Sequence, residues 1–188
     1  MSKTFSLKNI SPLINFGHTD FGENKVQEAV EKWSELKTVK NDINLHMVGK
    51  LQTNKVKQAV QIFDYIHSLD SLKLANKISR EQNKINKSVK IFIQINVGNE
   101  NQKGGISFED LPNFYRSCID QFNLKIIGLM CLPPNDIDPS AYFKKMRENA
   151  NSLSLKELSM GMSSDYLTAV KYNSSYIRVG TKIFGERS

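Results

Sequence analysis

Short strand-forming runs alternate with amphipathic segments along the whole sequence, and this alternation is the feature that most restricts its fold. Seven runs are rich in β-branched and other apolar residues, at positions 19–23, 44–49, 64–70, 89–98, 124–132, 157–162 and 175–180. Strands that alternate with helices of about 10–15 residues are typical of a parallel sheet covered by helices. An open doubly wound sheet can hold seven strands, whereas a (β/α)8 barrel requires eight. The runs alone leave both arrangements open.

The segments between the runs have the periodicity of helices that bury one face. In residues 24–36, apolar side chains recur every three or four positions at Val26, Ala29, Val30, Trp33 and Leu36. Ser71 and Pro139 stand where a helix is expected to begin, as a capping residue and a first-turn proline. The pattern predicts helices in residues 24–36, 53–63, 71–79, 138–153 and 165–172.

Composition restricts the class of protein. With 188 residues, 39% hydrophobic and 24% charged, the chain is expected to form a single globular domain over residues 1–188. No apolar run approaches the roughly 18 residues of a membrane span, and the N-terminus lacks the apolar core of a signal peptide, so we expect a cytoplasmic protein. Cys118 and Cys131 have no metal-ligand spacing and are expected to be reduced thiols, with no metal site.

The net charge of +7 raises the question of a nucleic-acid partner. The lysines are spread through the helical segments, without a compact basic run or interleaved aromatic residues. Such a distribution is typical of solvated helix faces. An RNA-binding protein is therefore the disfavoured alternative.

Glycine and hydroxyl residues follow the last two runs. Ser163 and Ser164 precede the helical segment 165–172, and Gly180 and Thr181 precede the last turn of the chain. In a barrel the functional face lies at the C-terminal ends of the strands, and phosphate often binds beyond the last two. Backbone N–H groups at helix starts also attract anions. The pair of motifs favours an anion site over plain helix capping.

Several motifs occur in an order that resembles a known family. They are "SKT", "FGENKVQE", "HMVGKLQTNKVK", "IHSLD", "IFIQINVGNENQKGGI", "IIGLMCLPP", "LSMGMSSD" and "IRVGTKIFGER". From residue 2 to residue 187 the chain resembles the pyridoxal-phosphate homeostasis protein family, which is related to alanine racemase. The resemblance implies a (β/α)8 TIM barrel of the alanine racemase N-terminal type that binds pyridoxal 5′-phosphate (PLP) as a Schiff base. It also implies a cytoplasmic monomer without defined catalysis, which buffers PLP or delivers it to PLP-dependent apoenzymes.

The resemblance further implies roles for individual residues. Lys3 matches the Schiff-base lysine, Asn24 a residue beside the ring, and Arg178 the arginine that faces the pyridine nitrogen. The phosphate cradle matches Ser163, Gly180 and Thr181. His46 belongs to the "HMVGKLQTNK" motif and is included among the cofactor-binding residues. His67 lies in an apolar run, where a structural histidine is the expected role.

Elementary chemistry agrees with these roles. A Schiff base forms only through a neutral amine, so the pKa of Lys3 must be lowered by desolvation or nearby positive charge. A guanidinium keeps its proton, so Arg178 donates to a ring nitrogen that stays unprotonated. An unprotonated ring is a weak electron sink, which suits a protein that holds PLP.

An amino-acid racemase using the same cofactor is the alternative enzyme function. It requires a second acid–base group on the opposite face of the substrate. The tyrosines considered for this role fall in helical or strand patterns, where packing is the favoured role: Tyr142, Tyr166, Tyr172 and Tyr176.

The chain differs from the family before Lys3, where the family has a helix and the first barrel strand. We therefore expect a barrel that lacks its first helix and strand, with seven strands and two open edges. A late-assigned start, a true truncation or a decaying remnant would each explain this, and the intact downstream motifs favour the first. A lysine this close to Met1 is expected on a fraying segment.

Overall fold

A computed structural model describes residues 1–98, 100, 104–134 and 137–185. Parts of the "NVGNENQKGGI" and "IFGER" motifs lie outside the described residues. The strands are β1 (Asp20–Glu23), β2 (Asn44–Met47), β3 (Tyr65–Leu69), β4 (Lys90–Ile95), β5 (Ile126–Cys131), β6 (Glu157–Met162) and β7 (Tyr176–Arg178). The helices are α1 (Leu7–Asn15), α2 (Val26–Val39), α3 (Val56–Ile62), α4 (Leu72–Lys84), α5 (Leu111–Asp120), α6 (Ser140–Ser152), α7 (Tyr166–Lys171) and α8 (Thr181–Phe184), with a 3₁₀ turn at Thr53–Lys55.

All seven predicted runs form strands, and these pair in chain order within one parallel sheet. A doubly wound sheet reverses its strand order at a switch point, so the sequential order excludes that alternative. Crossovers between parallel strands are right-handed as a rule, so helices that connect strands in sequential order are expected on one face, around which the sheet curls on itself. Within the described residues the fold is a nearly closed barrel of the (β/α)8 type with seven strands, as expected.

The N-terminal segment occupies the opening between β1 and β7, which no strand pairing joins in the described part of the chain. The backbone N–H of Ser2 donates to the carbonyl of Gly22 in β1 over 3.0 Å. The amino group of Met1 donates to the carbonyl of Val179, just after β7, over 2.6 Å. The expectation of a fraying segment was wrong, because both sides of the opening hold these residues.

Alternate strand residues face the helices and the barrel interior. In β4, Ile91, Ile93 and Ile95 belong to the large apolar core under the helices. The intervening Phe92 packs inside the barrel with Tyr65 and Met130. The interior also buries polar side chains, which are His46, His67, Gln94, Ser159 and Arg178. This polar interior is where the site is built.

Two features of the described residues bear on the expected class of protein. No helix among them is long and apolar enough to cross a membrane. Cys118 and Cys131 are free and buried, and burial raises the pKa of each thiol to about 12. Neither thiol is therefore a reactive thiolate near neutral pH.

Candidate functional site

A cavity of about 600 Å³ opens at the C-terminal ends of the strands. Its walls come from the N-terminal segment, from β4 and β7, and from the loops after β1, β2, β5, β6 and β7. All the predicted cofactor residues except His46 line it, namely Lys3, Asn24, Ser163, Arg178, Gly180 and Thr181. The structure thus brings together residues that lie up to 178 positions apart.

Arg178 ends β7 with its side chain inside the barrel, and only 7% of the residue is exposed. Its Nη1 donates to Ser159 Oγ over 2.8 Å, and its Nη2 donates to the Cys131 carbonyl over 2.7 Å. Burial lowers the pKa of the guanidinium from its ordinary value, with opposing contributions from Cys131 and Asp165. An arginine nevertheless stays protonated in a protein, so it presents a fixed donor to the cavity.

Lys3 follows a segment that is anchored by the buried carboxylate of Glu23. Glu23 Oε1 accepts hydrogen bonds from Ser2 Oγ over 2.8 Å, Lys32 Nζ over 2.9 Å and Trp33 Nε1 over 3.0 Å. Lys32 Nζ also donates to the carbonyl of Ser2 over 3.0 Å. Glu23 was not among the predicted site residues, although an acidic residue at the end of an apolar strand run was an available signal.

The loops after β6 and β7 meet at the cavity. The N–H of Gly180 donates to Ser163 Oγ over 3.4 Å. The loop that carries Ser163 is closed by Asp165, whose Oδ1 accepts from the Met162 N–H over 2.6 Å. A Cβ at position 180 would lie 3.3 Å from the carbonyl oxygen of Met1, so glycine fits this crowded wall. Hydroxyl and N–H groups therefore converge where the sequence predicts an anion.

Gly49 lets the loops after β1 and β2 touch each other. A Cβ on Gly49 would lie 2.2 Å from the carbonyl oxygen of Asn24, far inside contact distance. The glycine of the "HMVGKLQTNK" motif is thereby explained by close backbone approach. The contact also holds Asn24 in the cavity wall.

His46 does not line the large cavity. It lies deeper in the barrel, where it lines a cavity of about 60 Å³ with Asp20 and His67. Its ring stacks on that of Tyr65, with the ring centroids 4.2 Å apart. Its ring lies 3.0 Å from His67 Nε2 at one nitrogen and 3.0 Å from Asp20 Oδ1 at the other, and these contacts hold it inside the barrel. His67 is also buried, in line with its predicted structural role.

Lys50 and Gln94 line the large cavity but were not among the predicted site residues. Gln94 is a polar residue within an apolar strand run, and its Nε2 donates to the Gly104 carbonyl over 2.8 Å. Lys50 follows Gly49 just past the end of β2. Both positions carry signals that sequence reasoning could have used.

Comparison with known proteins agrees with this geometry. Residues 4–188 match the family model described as alanine racemase, N-terminal domain. The chain is 39% identical to the pyridoxal phosphate homeostasis protein of Aquifex aeolicus (strain VF5), over 99% of this chain and 85% of that protein. PipY of Synechococcus elongatus PCC7942, solved without PLP, superposes with a TM-score of 0.92 at 37% identity, over 98% of this chain and 90% of that chain.

The same PipY protein solved with PLP bound superposes with a TM-score of 0.89 at 36% identity, with the same coverage. These similarities extend over nearly the whole chain and include the loops that line the cavity. The chain therefore belongs to the pyridoxal phosphate homeostasis protein family, whose barrel is that of the alanine racemase N-terminal domain.

Proposed function

We propose that this chain binds PLP in the large cavity and takes part in intracellular PLP homeostasis without catalysing a reaction of its own. The observation that carries the proposal is the convergence of Lys3, Arg178 and the Ser163–Gly180–Thr181 group on one cavity of about 600 Å³. Small-molecule sites commonly have volumes of roughly 300–1,000 Å³. The PLP-bound PipY structure, at 36% identity, supports the same assignment.

The residues present fit the chemical groups of PLP. The Lys3 amine would hold the aldehyde through a covalent link. The guanidinium of Arg178 would donate to the ring nitrogen, and Asn24 would contact the ring. The hydroxyls of Ser163 and Thr181 and the nearby N–H groups serve the phosphate.

Bound PLP supplies an electron sink whose strength depends on the protonation of its ring nitrogen. A permanent donor at that nitrogen keeps it unprotonated, so Arg178 favours holding the cofactor over carbanion chemistry.

A racemase would need a second acid–base group at the cavity. Apart from Lys3 and Arg178, Lys50 is the one titratable side chain among the described lining residues. None of the tyrosines considered above lines this cavity, and Tyr176 lines the smaller one instead. The placement of the tyrosines supports the proposal of a non-catalytic protein, and Lys50 is the side chain that a racemase would have to use.

We further infer that the protein acts as a monomer in the cytoplasm and that its partners are PLP-dependent apoenzymes. An exposed cavity mouth at the strand ends suits the loading and release of a small cofactor. Mixing the PLP-loaded protein with an apoenzyme, and following recovery of that enzyme's activity, tests the transfer. Sedimentation of the loaded protein tests the monomer.

Equilibrium dialysis of the purified chain against PLP tests binding, and deuterium wash-in at Cα of L- or D-alanine in the loaded protein tests catalysis. The proposal expects saturable binding of about one PLP per chain and no deuterium exchange above that of free PLP. Binding without saturation would contradict the cofactor assignment. Exchange at an enzymatic rate, abolished in K50A, would instead favour the racemase.

A further inference from the structure

A chain of hydrogen bonds runs through the barrel interior from Arg178 to Asp20. Ser159 Oγ lies 2.8 Å from Arg178 Nη1 and 2.8 Å from His67 Nδ1. His67 Nε2 lies 3.0 Å from His46 Nδ1, and His46 Nε2 lies 3.0 Å from Asp20 Oδ1. The members belong to β7, β6, β3, β2 and β1. The chain therefore connects the cavity at one end of the barrel with the opposite end, where β1 begins.

The two end groups of this hydrogen-bond chain determine which atom is the donor in each of its bonds. Arg178 can only donate and the ionised Asp20 carboxylate can only accept. His46 therefore donates from Nε2 and accepts at Nδ1, and His67 does the same. Ser159 accepts from Arg178 and donates its own proton to His67. Every group is satisfied when both histidines are neutral, and each bond points from Arg178 towards Asp20.

The surroundings of His67 keep it neutral. Its ring stacks on Phe92 at a centroid distance of 4.3 Å, and the ring of Tyr176 packs edge-on against it. The charged or titratable groups that face it are Arg178, His46, Tyr65 and Tyr176. Burial is the largest cause that lowers the pKa of His67 well below its ordinary value, and the positive charge of Arg178 acts in the same direction.

Asp20, at the end of the hydrogen-bond chain away from the cavity, stays ionised. The Asp20 side chain is 44% exposed, and its hydrogen bond from His46 is the largest cause that lowers its pKa to about 2. A carboxylate acceptor is therefore present throughout the neutral range. This acceptor is what gives the chain its single direction.

We propose that Ser159 and His67 are positioning residues, which hold the Arg178 guanidinium so that its remaining N–H groups face the PLP ring nitrogen. The inference rests on the proposed function. Ser159 Oγ and the Cys131 carbonyl are the two acceptors bonded to this guanidinium within the described residues. Removal of the Ser159 hydroxyl leaves one anchor, and the side chain can then rotate about it.

The readout is the protonation of the ring nitrogen, observed by ¹⁵N NMR of the protein loaded with PLP labelled at that nitrogen. In the wild-type protein the ring nitrogen is expected to stay unprotonated across the neutral range. In S159A and H67F the ring nitrogen is expected to take up a proton within the neutral pH range. PLP affinity is expected to fall by about tenfold. H67Q carries both an acceptor and a donor and is expected to restore the wild-type behaviour.

The matched control is S79A, because Ser79 is a buried serine of α4 whose hydroxyl donates to the Phe122 carbonyl over 2.7 Å. This variant removes one buried hydrogen bond outside the hydrogen-bond chain between Arg178 and Asp20. It is expected to leave the protonation of the ring nitrogen unchanged. Ring-nitrogen shifts in S159A and H67F that equal those of wild type would overturn the inference. If wild type itself binds no PLP, the proposed function fails first, so the two failures are distinguishable.

Discussion

Arg178 Nη2 donates to the backbone carbonyl of Cys131 over 2.7 Å, which ties β7 to the end of β5, two strands away in the sheet. The same guanidinium reaches Ser159 in the intervening strand. One side chain thus braces the last three strands next to the opening of the barrel. It also lines the cavity, so we expect stability and PLP binding to depend on the same residue.

Replacement of Arg178 by alanine is expected to lower the free energy of unfolding by about 2–4 kcal/mol, because buried acceptors lose a charged donor. PLP affinity is expected to fall as well. Urea unfolding and dialysis measure the two effects. R116A, at an exposed position of α5, is the control and should stay within about 0.5 kcal/mol of wild type. Equal stability of R178A and R116A would contradict the bracing role.

Glu23 is fully buried and pairs with Lys32, whose side chain is 12% exposed. Replacement by glutamine leaves the ammonium without its counter-charge, and we expect a loss of about 3 kcal/mol in unfolding free energy. Because Glu23 also anchors Ser2, E23Q should reduce covalent attachment of PLP at Lys3. E31Q, on the exposed face of α2, serves as control. Unchanged attachment in a folded E23Q protein would show that the anchor does not position Lys3.

The lowered pKa of His67 predicts a loss of stability in mild acid. Below the ordinary histidine pKa of 6.5 the unfolded chain takes up a proton at His67 that the folded protein excludes. The unfolding free energy should therefore fall with decreasing pH, by up to about 1.4 kcal/mol per pH unit from this residue. Asp20 does not interfere, since its stabilising effect is lost only as pH falls from 3.8 through about 2.

Urea unfolding of wild type and H67Q between about pH 7 and pH 5 checks this sign. The slope against pH should be shallower in H67Q, because glutamine does not titrate. Identical slopes would mean that His67 is protonated in the folded protein. That result would also contradict the proposed donor order in the hydrogen-bond chain from Arg178 to Asp20.

The hydroxyl groups at the loops after β6 and β7 should distinguish PLP from pyridoxal, which lacks the phosphate. The wild-type protein is expected to prefer PLP by at least about tenfold, and the double variant S163A/T181A to lose most of that preference. Competition dialysis measures the ratio, with S152A at an exposed position of α6 as the control. An unchanged ratio in the double variant would place the phosphate elsewhere.

Much of the fold was predictable because strand and helix periods are local properties of the sequence. Helix α1 was not predicted, since Pro12 lies inside it and the helix buries only Ile10 and Ile14. Helix α5 buries Leu111, Phe114 and Cys118, a helical spacing that was present in the sequence and was overlooked. Strand ends of a parallel barrel meet at one face, so the lining residues could be anticipated.

The supporting contacts could not be read from the sequence in the same way. Ser159 and His67 are 92 positions apart, and their meeting depends on which residues of β3 and β6 face the interior. Three of the six pairings between the described strands contain a register shift, which alternation alone does not predict: β3 with β4, β4 with β5 and β6 with β7. His46 was assigned to the cofactor set from its motif, whereas it lines the smaller cavity deeper in the barrel, a placement that the motif does not show.

The most direct test of the central claim is to load the protein with PLP, reduce it with borohydride and locate the modified lysine by peptide mass. We expect labelling at Lys3. The label should be lost in K3A and retained in the control K8A, since Lys8 is an exposed residue of α1. Labelling at another lysine, or no stable label at saturating PLP, would contradict the assignment of this cavity as the cofactor site.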